Sequence, residues 1–164
     1  MIAHALKNQP VTTIAATFIA AVVLSPSAGA APGDACSLLT QSQLTKTLGA
    51  SVDAGSSLGP NDKKVCTWRT TSSGDAANSI KYVTLMLQGT DAFQTGKSVS
   101  VKSIIVTPVS NIGDDAYYLA VGANVGLIVL KGSASCKVAI YGSISMDKKQ
   151  ALEKALAQQI LPHF

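Results

Sequence analysis

Hydrophobic positions along this chain follow two different spacings, and the switches between them mark out its elements. In "LLTQSQLTKTLGA" Leu44 and Leu48 stand one helical turn apart. Thr40 and Gln43 form a capping box ahead of them, and Gly49 supplies the left-handed stop, so a first helix is predicted here. Residues 52–64, "VDAGSSLGPNDKK", carry turn formers and no period, and are expected to be loop. "VCTWRT" then reads as a short strand with Cys66 and Trp68 on one face, followed by a turn at "TSSGDAANS". In "IKYVTLMLQ" Val83, Leu85 and Leu87 alternate with Tyr82 and Met86, the period of two that a strand requires. "TDAFQTGKS" fits either a single helical turn or a crossover.

From Val101 onward short β-rich runs are separated by "NIGDD", "GAN" and "KGSA", the spacing of successive antiparallel hairpins. One of these runs, "GLIVL", is apolar at every position, which implies cover on both faces of the sheet. The last element, "DKKQALEKALAQQIL", is predicted as a helix with Asp147 as N-cap and Gln150 at N3. Leu152, Leu156 and Ile160 would line its buried face beside Ala151 and Ala155, with Lys149 and Glu153 paired on a more exposed face. The pattern as a whole predicts an α+β fold: a mostly antiparallel sheet of about five strands, covered by the N-terminal and C-terminal helices.

Residues 1–30 are expected to be a signal peptide and not part of that fold. Lys7 gives a positive start, residues 14–24 form an apolar run of eleven, and Pro26 precedes the small residues Ala28 and Ala30. The run is short of the roughly 20 residues that a membrane-spanning helix needs, so the mature chain is read as having no transmembrane segment. Residues 31–164 then form a single exported α+β domain, periplasmic or secreted.

Charge narrows the range of partners. The expected mature chain has twelve basic side chains, Arg69 alone among them being arginine, against nine acidic ones, a net of +3. The basic residues are scattered, unlike the Arg-rich stripe of a nucleic-acid reader, so no nucleic-acid partner is expected.

An oxidising compartment would close at least one pair among the three cysteines. Cys136 shares its parity with Ala134, Val138 and Ile140, which places it on the inward face of a strand as a buried thiol. Cys36 and Cys66 both flank turn-rich sequence, and a bridge between them would tie the N-terminal segment to the first strand. No cysteines have metal-ligand spacing, and the only histidine beyond the leader is His163; neither metal nor cofactor is expected.

"DACSLLTQSQLTKTLGASV", then "CTW", "NIGDDAYY", a "LIVLKG" strand and a Leu/Ala-rich C-terminal helix occur in that order. The chain resembles a family of small exported bacterial proteins of unknown function, many of them lipoproteins. The resemblance implies a Cys36–Cys66 pair and a helix-covered antiparallel sheet akin to the PsbP-like sandwich. It supplies no catalytic residues. The chain departs from the family in lacking the lipid-attachment cysteine and in adding Cys136.

Asp114 and Asp115 are the most conspicuous acidic pair, but sequence neighbours in an extended chain point to opposite sides and cannot flank one bond. Gly113 and Asp114 read as a turn feeding a strand. "SMDK", residues 145–148, matches Ser-x-x-Lys but lacks the companion motifs of penicillin-recognising enzymes, and Ser145 reads as a helix cap. The expected function is therefore that of a non-catalytic envelope protein binding a partner or a small ligand. Its possible surface is Asp114, Asp115, Tyr117 and Tyr118, together with the loop at 54–64. The alternative is a small hydrolase acting on envelope material through distant carboxylates, such as Asp91 with Asp114 or Asp115.

Overall fold

Seven strands form one antiparallel sheet, and the path of the chain across it explains why helices cover its two faces unequally. The computed structural model describes residues 32–71 and 79–164. The leader expected over 1–30, and all but the ends of the turn expected at 71–79, lie outside the described residues. The strands are β1 (Ser56–Gly59), β2 (Asp62–Arg69), β3 (Ile80–Gly89), β4 (Ile104–Val109), β5 (Asp115–Val121), β6 (Asn124–Lys131) and β7 (Ala134–Gly142). The helices are α1 (Gln41–Leu48), α2 (Thr90–Lys97) and α3 (Met146–Ile160).

Strand order is β1-β2-β3-β7-β6-β5-β4. The chain leaves β3, crosses to the far edge through α2, and returns as a four-stranded meander whose last strand pairs with β3. The crossover carries α2 over one face. Phe93 of α2 packs there with Tyr117 and Ile128. The other face holds the main core, in which Val83 and Leu85 of β3, Leu127 and Val129 of β6, and Val138 and Ile140 of β7 meet Leu156 and Ile160 of α3. In β6 Leu127, Ile128 and Val129 are all buried, because consecutive residues face opposite helices. The two-sided cover read from "GLIVL" is thus present.

The first helix keeps both predicted ends. Thr40 Oγ1 accepts from Gln43 N at 3.2 Å, Thr40 N donates to Gln43 Oε1 at 2.8 Å, and Gly49 closes the helix at φ 66°. The Cys36–Cys66 disulfide ties the segment before α1 to β2, with Cα atoms 5.0 Å apart and a sequence separation of 30. Closing a loop of that size removes chain entropy from the unfolded state, a stabilisation of about 3–4 kcal/mol. Gly55 runs directly over this staple: a Cβ there would lie 2.7 Å from Cys66 Sγ and 2.5 Å from Trp68 Nε1. Cys136 is free and fully buried, and burial pushes its thiol pKa up to about 12.

Several expectations are corrected. The sheet has seven strands where about five were expected. The difference lies partly in 52–64, expected to be loop, where β1 and the start of β2 form a hairpin. Ser56, Ser57 and Leu58 of β1 are all exposed at the sheet edge, so backbone bonds hold the strand and no hydrophobic alternation marks it. "TDAFQTGKS" makes an eight-residue helix, with Phe93 as its one buried anchor. Of the two caps read for the last helix, Ser145 is the one used and Asp147 is not: Ser145 Oγ accepts from Lys148 N, and Asp147 lies inside the first turn. Lys149 and Glu153, expected on a more exposed face, are buried at 4% and 0% exposure, whereas Ala151 is exposed and Leu152 half-buried.

Candidate functional site

The burial of Lys149 and Glu153 follows from a divergence in the sheet. The β6–β7 ladder runs from Lys131–Ala134 to Leu127–Val138 and ends there. Residues 124–126 of β6 and 139–142 of β7 do not pair with each other, although β7 continues against β3 as far as Gly142. α3 lies over β6 and β7 on the main-core side and supplies the missing partners. Glu153 Oε1 accepts from Ile140 N at 3.0 Å, and Lys149 Nζ donates to the loop carbonyl of Ala123 at 2.8 Å. A buried backbone N–H left unpaired would be costly, so a polar helix position here replaces a ladder bond.

Glu153 is an unusual plug. Burial raises its pKa to about 8, against the lowering effects of the Ile140 N–H and of the Lys149 and Lys137 charges. The carboxyl is therefore mostly protonated at neutral pH. Its Oε2 is buried and has no hydrogen-bond partner among the described residues. Tyr118 stands nearby, its hydroxyl donating to Gln150 O at 2.8 Å, and burial followed by the Glu153 charge pushes its pKa up to about 12.

On the opposite face the same divergence opens a concavity of about 180 Å³, lined by Leu119, Val121, Asn124, Val125, Lys137 and Tyr141. α2 is too short to reach across this part of the sheet, where Met86 also stays exposed. A row of side chains crosses three neighbouring strands at its margin. Arg69 of β2 pairs with Tyr82 of β3, and Tyr82 with Tyr141 of β7. The Arg69 guanidinium lies 5.9 Å from the Tyr82 ring centre, and the Tyr82 and Tyr141 rings stack at 4.5 Å and 18°. One face of Tyr141 is thereby taken by Tyr82, leaving the other toward the concavity.

The residues singled out from sequence are not gathered at one site. Asp114 caps a turn: its Oδ2 accepts from Gly132 N at 2.7 Å, its own N–H donates to Leu130 O at 2.8 Å, and Gly113 before it has φ 61°. Asp115 is instead ion-paired with Lys97 of α2. Tyr117 is buried on the α2 face, its hydroxyl donating to Phe93 O at 3.0 Å, and burial followed by the Asp115 charge raises its pKa. Tyr118 faces the other way, under α3. Asp91 lies exposed in the first turn of α2. Among the described residues no three His, Cys, Asp or Glu side chains come together as metal ligands. Among the same residues no helix is long and apolar enough to cross a membrane.

A larger hollow of about 470 Å³ lies between α1 and residues 51–52, lined by Gln41, Ser42, Thr45, Lys46, Ser51 and Val52. It is a wide step in the surface without an aromatic wall, and Gln41 spends its amide on the Val52 carbonyl. The smaller concavity combines an aromatic face, a cation and an amide in one place, and sequence periodicity did not single out its residues. Tyr141 and Lys137 share a strand with residues read as core, and the ladder's early end, which opens the space, leaves no mark in hydrophobic spacing. Compared with protein-family models, curated proteins and solved structures, the chain matches none.

Proposed function

We propose that this protein is an exported, non-catalytic envelope protein that binds a small ligand on the part of its sheet that α2 leaves uncovered. The observation that carries the reading is the concavity beside Tyr141. There an aromatic ring, apolar side chains and a lysine without an ion pair among the described residues come together. Such a combination of apolar wall and few polar groups is what small-molecule sites use. The scaffold around it is well braced for binding, since a disulfide staples one end and helices hold the meander on both faces. The disulfide also fits an oxidising compartment, in keeping with export.

The binding reading is favoured over a hydrolase by the roles that three acidic side chains already have, although Asp91 lies exposed on α2. Asp114 holds a turn, Asp115 an ion pair and Glu153 a strand end. The test is amide chemical-shift mapping of the protein against lipids, glycans and cell-wall fragments. Shifts confined to the strands around Tyr141 are expected. Mapping to the α1 and α3 side, or hydrolysis of a fragment abolished by Asp91→Asn or Asp115→Asn in a stable protein, would refute the reading.

A further inference from the structure

The concavity has a charge that nothing in the fold neutralises. The Lys137 ammonium makes no hydrogen bond or ion pair among the described residues, and no acidic residue lines the space. Lys63, Lys97, Lys131 and Lys149 each have a carboxylate or carbonyl partner, and of the remaining lysines Lys137 is the one that lines this concavity. Arg69, beyond the two stacked tyrosines, adds a second cation that lies over the Tyr82 ring. Glu153 lies across the sheet, close enough for the Lys137 charge to act on it, but burial keeps it protonated to about pH 8. The other groups acting on that acid, Lys149 from α3 and Tyr118 from β5, contribute no negative charge at neutral pH.

Gly126 determines where Lys137 lies. A Cβ on Gly126 would come within 2.7 Å of Lys137 Cε, so the lysine stem rests in the trench that the missing side chain leaves. The stem is thereby laid across the diverging strands beside the free face of Tyr141. A volume of about 180 Å³ would hold about six waters at ~30 Å³ each. That is room for a single six-membered ring and not for a chain. An aromatic face beside a half-open, partly polar wall suits a ring with one C–H face and polar edges, while the Asn124 amide can donate and accept at the rim.

Resting on the reading of this face as a binding site, we propose that the concavity takes one pyranose ring bearing a carboxylate. Its carboxylate sits on Lys137 and its C–H face on Tyr141. The probes are methyl glucuronide, methyl glucoside and benzoate, titrated into the protein with amide shifts and calorimetry as readouts. The glucuronide is expected to shift residues of β6 and β7 around Val125, Lys137 and Tyr141 and to bind about tenfold more tightly than the glucoside, the worth of one charge-assisted hydrogen bond. Lys137→Met should remove that preference. Gly126→Ala should weaken it while leaving the fold intact, because the atom a new Cβ meets is the end of a flexible side chain.

Equal binding of glucuronide and glucoside, or a preference that survives Lys137→Met, overturns the carboxylate assignment. Benzoate binding more tightly than the glucuronide overturns the sugar. The absence of any shift with all three probes overturns the inference as a whole. In each of those cases the wider reading still stands if a lipid, neutral glycan or other fragment maps to Tyr141, and falls with it if nothing maps to this face.

Discussion

Glu153→Gln should make the protein more stable at neutral pH, although it removes a carboxylate that holds a strand end. Glutamine keeps an oxygen to accept from Ile140 N–H and differs from the protonated acid mainly in carrying an amide where Oε2 now has no partner. It is therefore a permanent copy of the neutral form. The folded-state pKa of Glu153 is raised to about 8 from an ordinary value of 4.5. A carboxyl with a raised folded pKa contributes its proton-linked stability in full below about pH 4.5 and loses it as the pH rises through about 8. At pH 7 the unfolded chain has released the proton and the folded chain has kept it. At ~1.36 kcal/mol per pH unit, the interval from 4.5 to 7 is worth about 3 kcal/mol.

The variant escapes that loss. Urea unfolding at pH 4.5, 7 and 9 measures it, and with a slope of roughly 1–3 kcal/mol per molar the midpoints at pH 7 should differ by about 1–3 M in favour of Gln. At pH 4.5 the two proteins should unfold nearly together, and at pH 9 the gap should be widest. A wild type as stable at pH 9 as at pH 4.5 would refute the reasoning. So would a Gln variant that loses stability with pH in parallel with the wild type.

Other consequences are more local. Gly55→Ala should destabilise by about 1–3 kcal/mol, because the disulfide and indole it would strike are both fixed; denaturant midpoints check it, and a neutral result would contradict the close approach. Replacing Cys36 and Cys66 together by serine should cost about 3–4 kcal/mol, read from the same curves. Native alkylation should leave Cys136 unmodified until the protein unfolds, since its thiol is buried and its pKa is pushed up to about 12. Tyr117→Phe should cost about 1–2 kcal/mol, by removing a fully buried hydrogen bond to the Phe93 carbonyl. Tyr118→Phe should cost less, because its bond to the Gln150 carbonyl is only partly buried.

Most of the secondary structure could be read from spacing because one face of each element is apolar. α1 announces itself by Leu44 and Leu48 between a capping box and a glycine, and β3 by Val83, Leu85 and Leu87. The hairpin before Trp68 escapes the same reading because edge strand β1 buries nothing. The last helix offered two caps in sequence, Asp147 before the charged run and Ser145 in "SMDK", and Ser145 is the one used, which leaves Asp147 in the first turn. The candidate site was the least legible. Asp114, Tyr117 and Tyr118 stand out in sequence because they are polar and clustered, but each has a structural partner that lies far along the chain: Gly132, Phe93 and Gln150.

The concavity and the buried acid are two sides of a single irregularity, and each makes the other workable. If β6 and β7 paired to their ends, Ile140 N–H would find a strand partner and Glu153 would have no reason to be buried. The trench over Gly126 would also close. Because the strands part, α3 must bring a hydrogen-bond acceptor to Ile140, and a glutamate does so while remaining neutral. An aspartate at position 153 would be one methylene too short to reach the strand, and a leucine would leave the N–H unpaired. An ionised acid, by contrast, would set a negative charge across the sheet from Lys137 and weaken its pull on an anion. A protonated one leaves that cation's charge facing the concavity, which is the condition an anionic ligand requires.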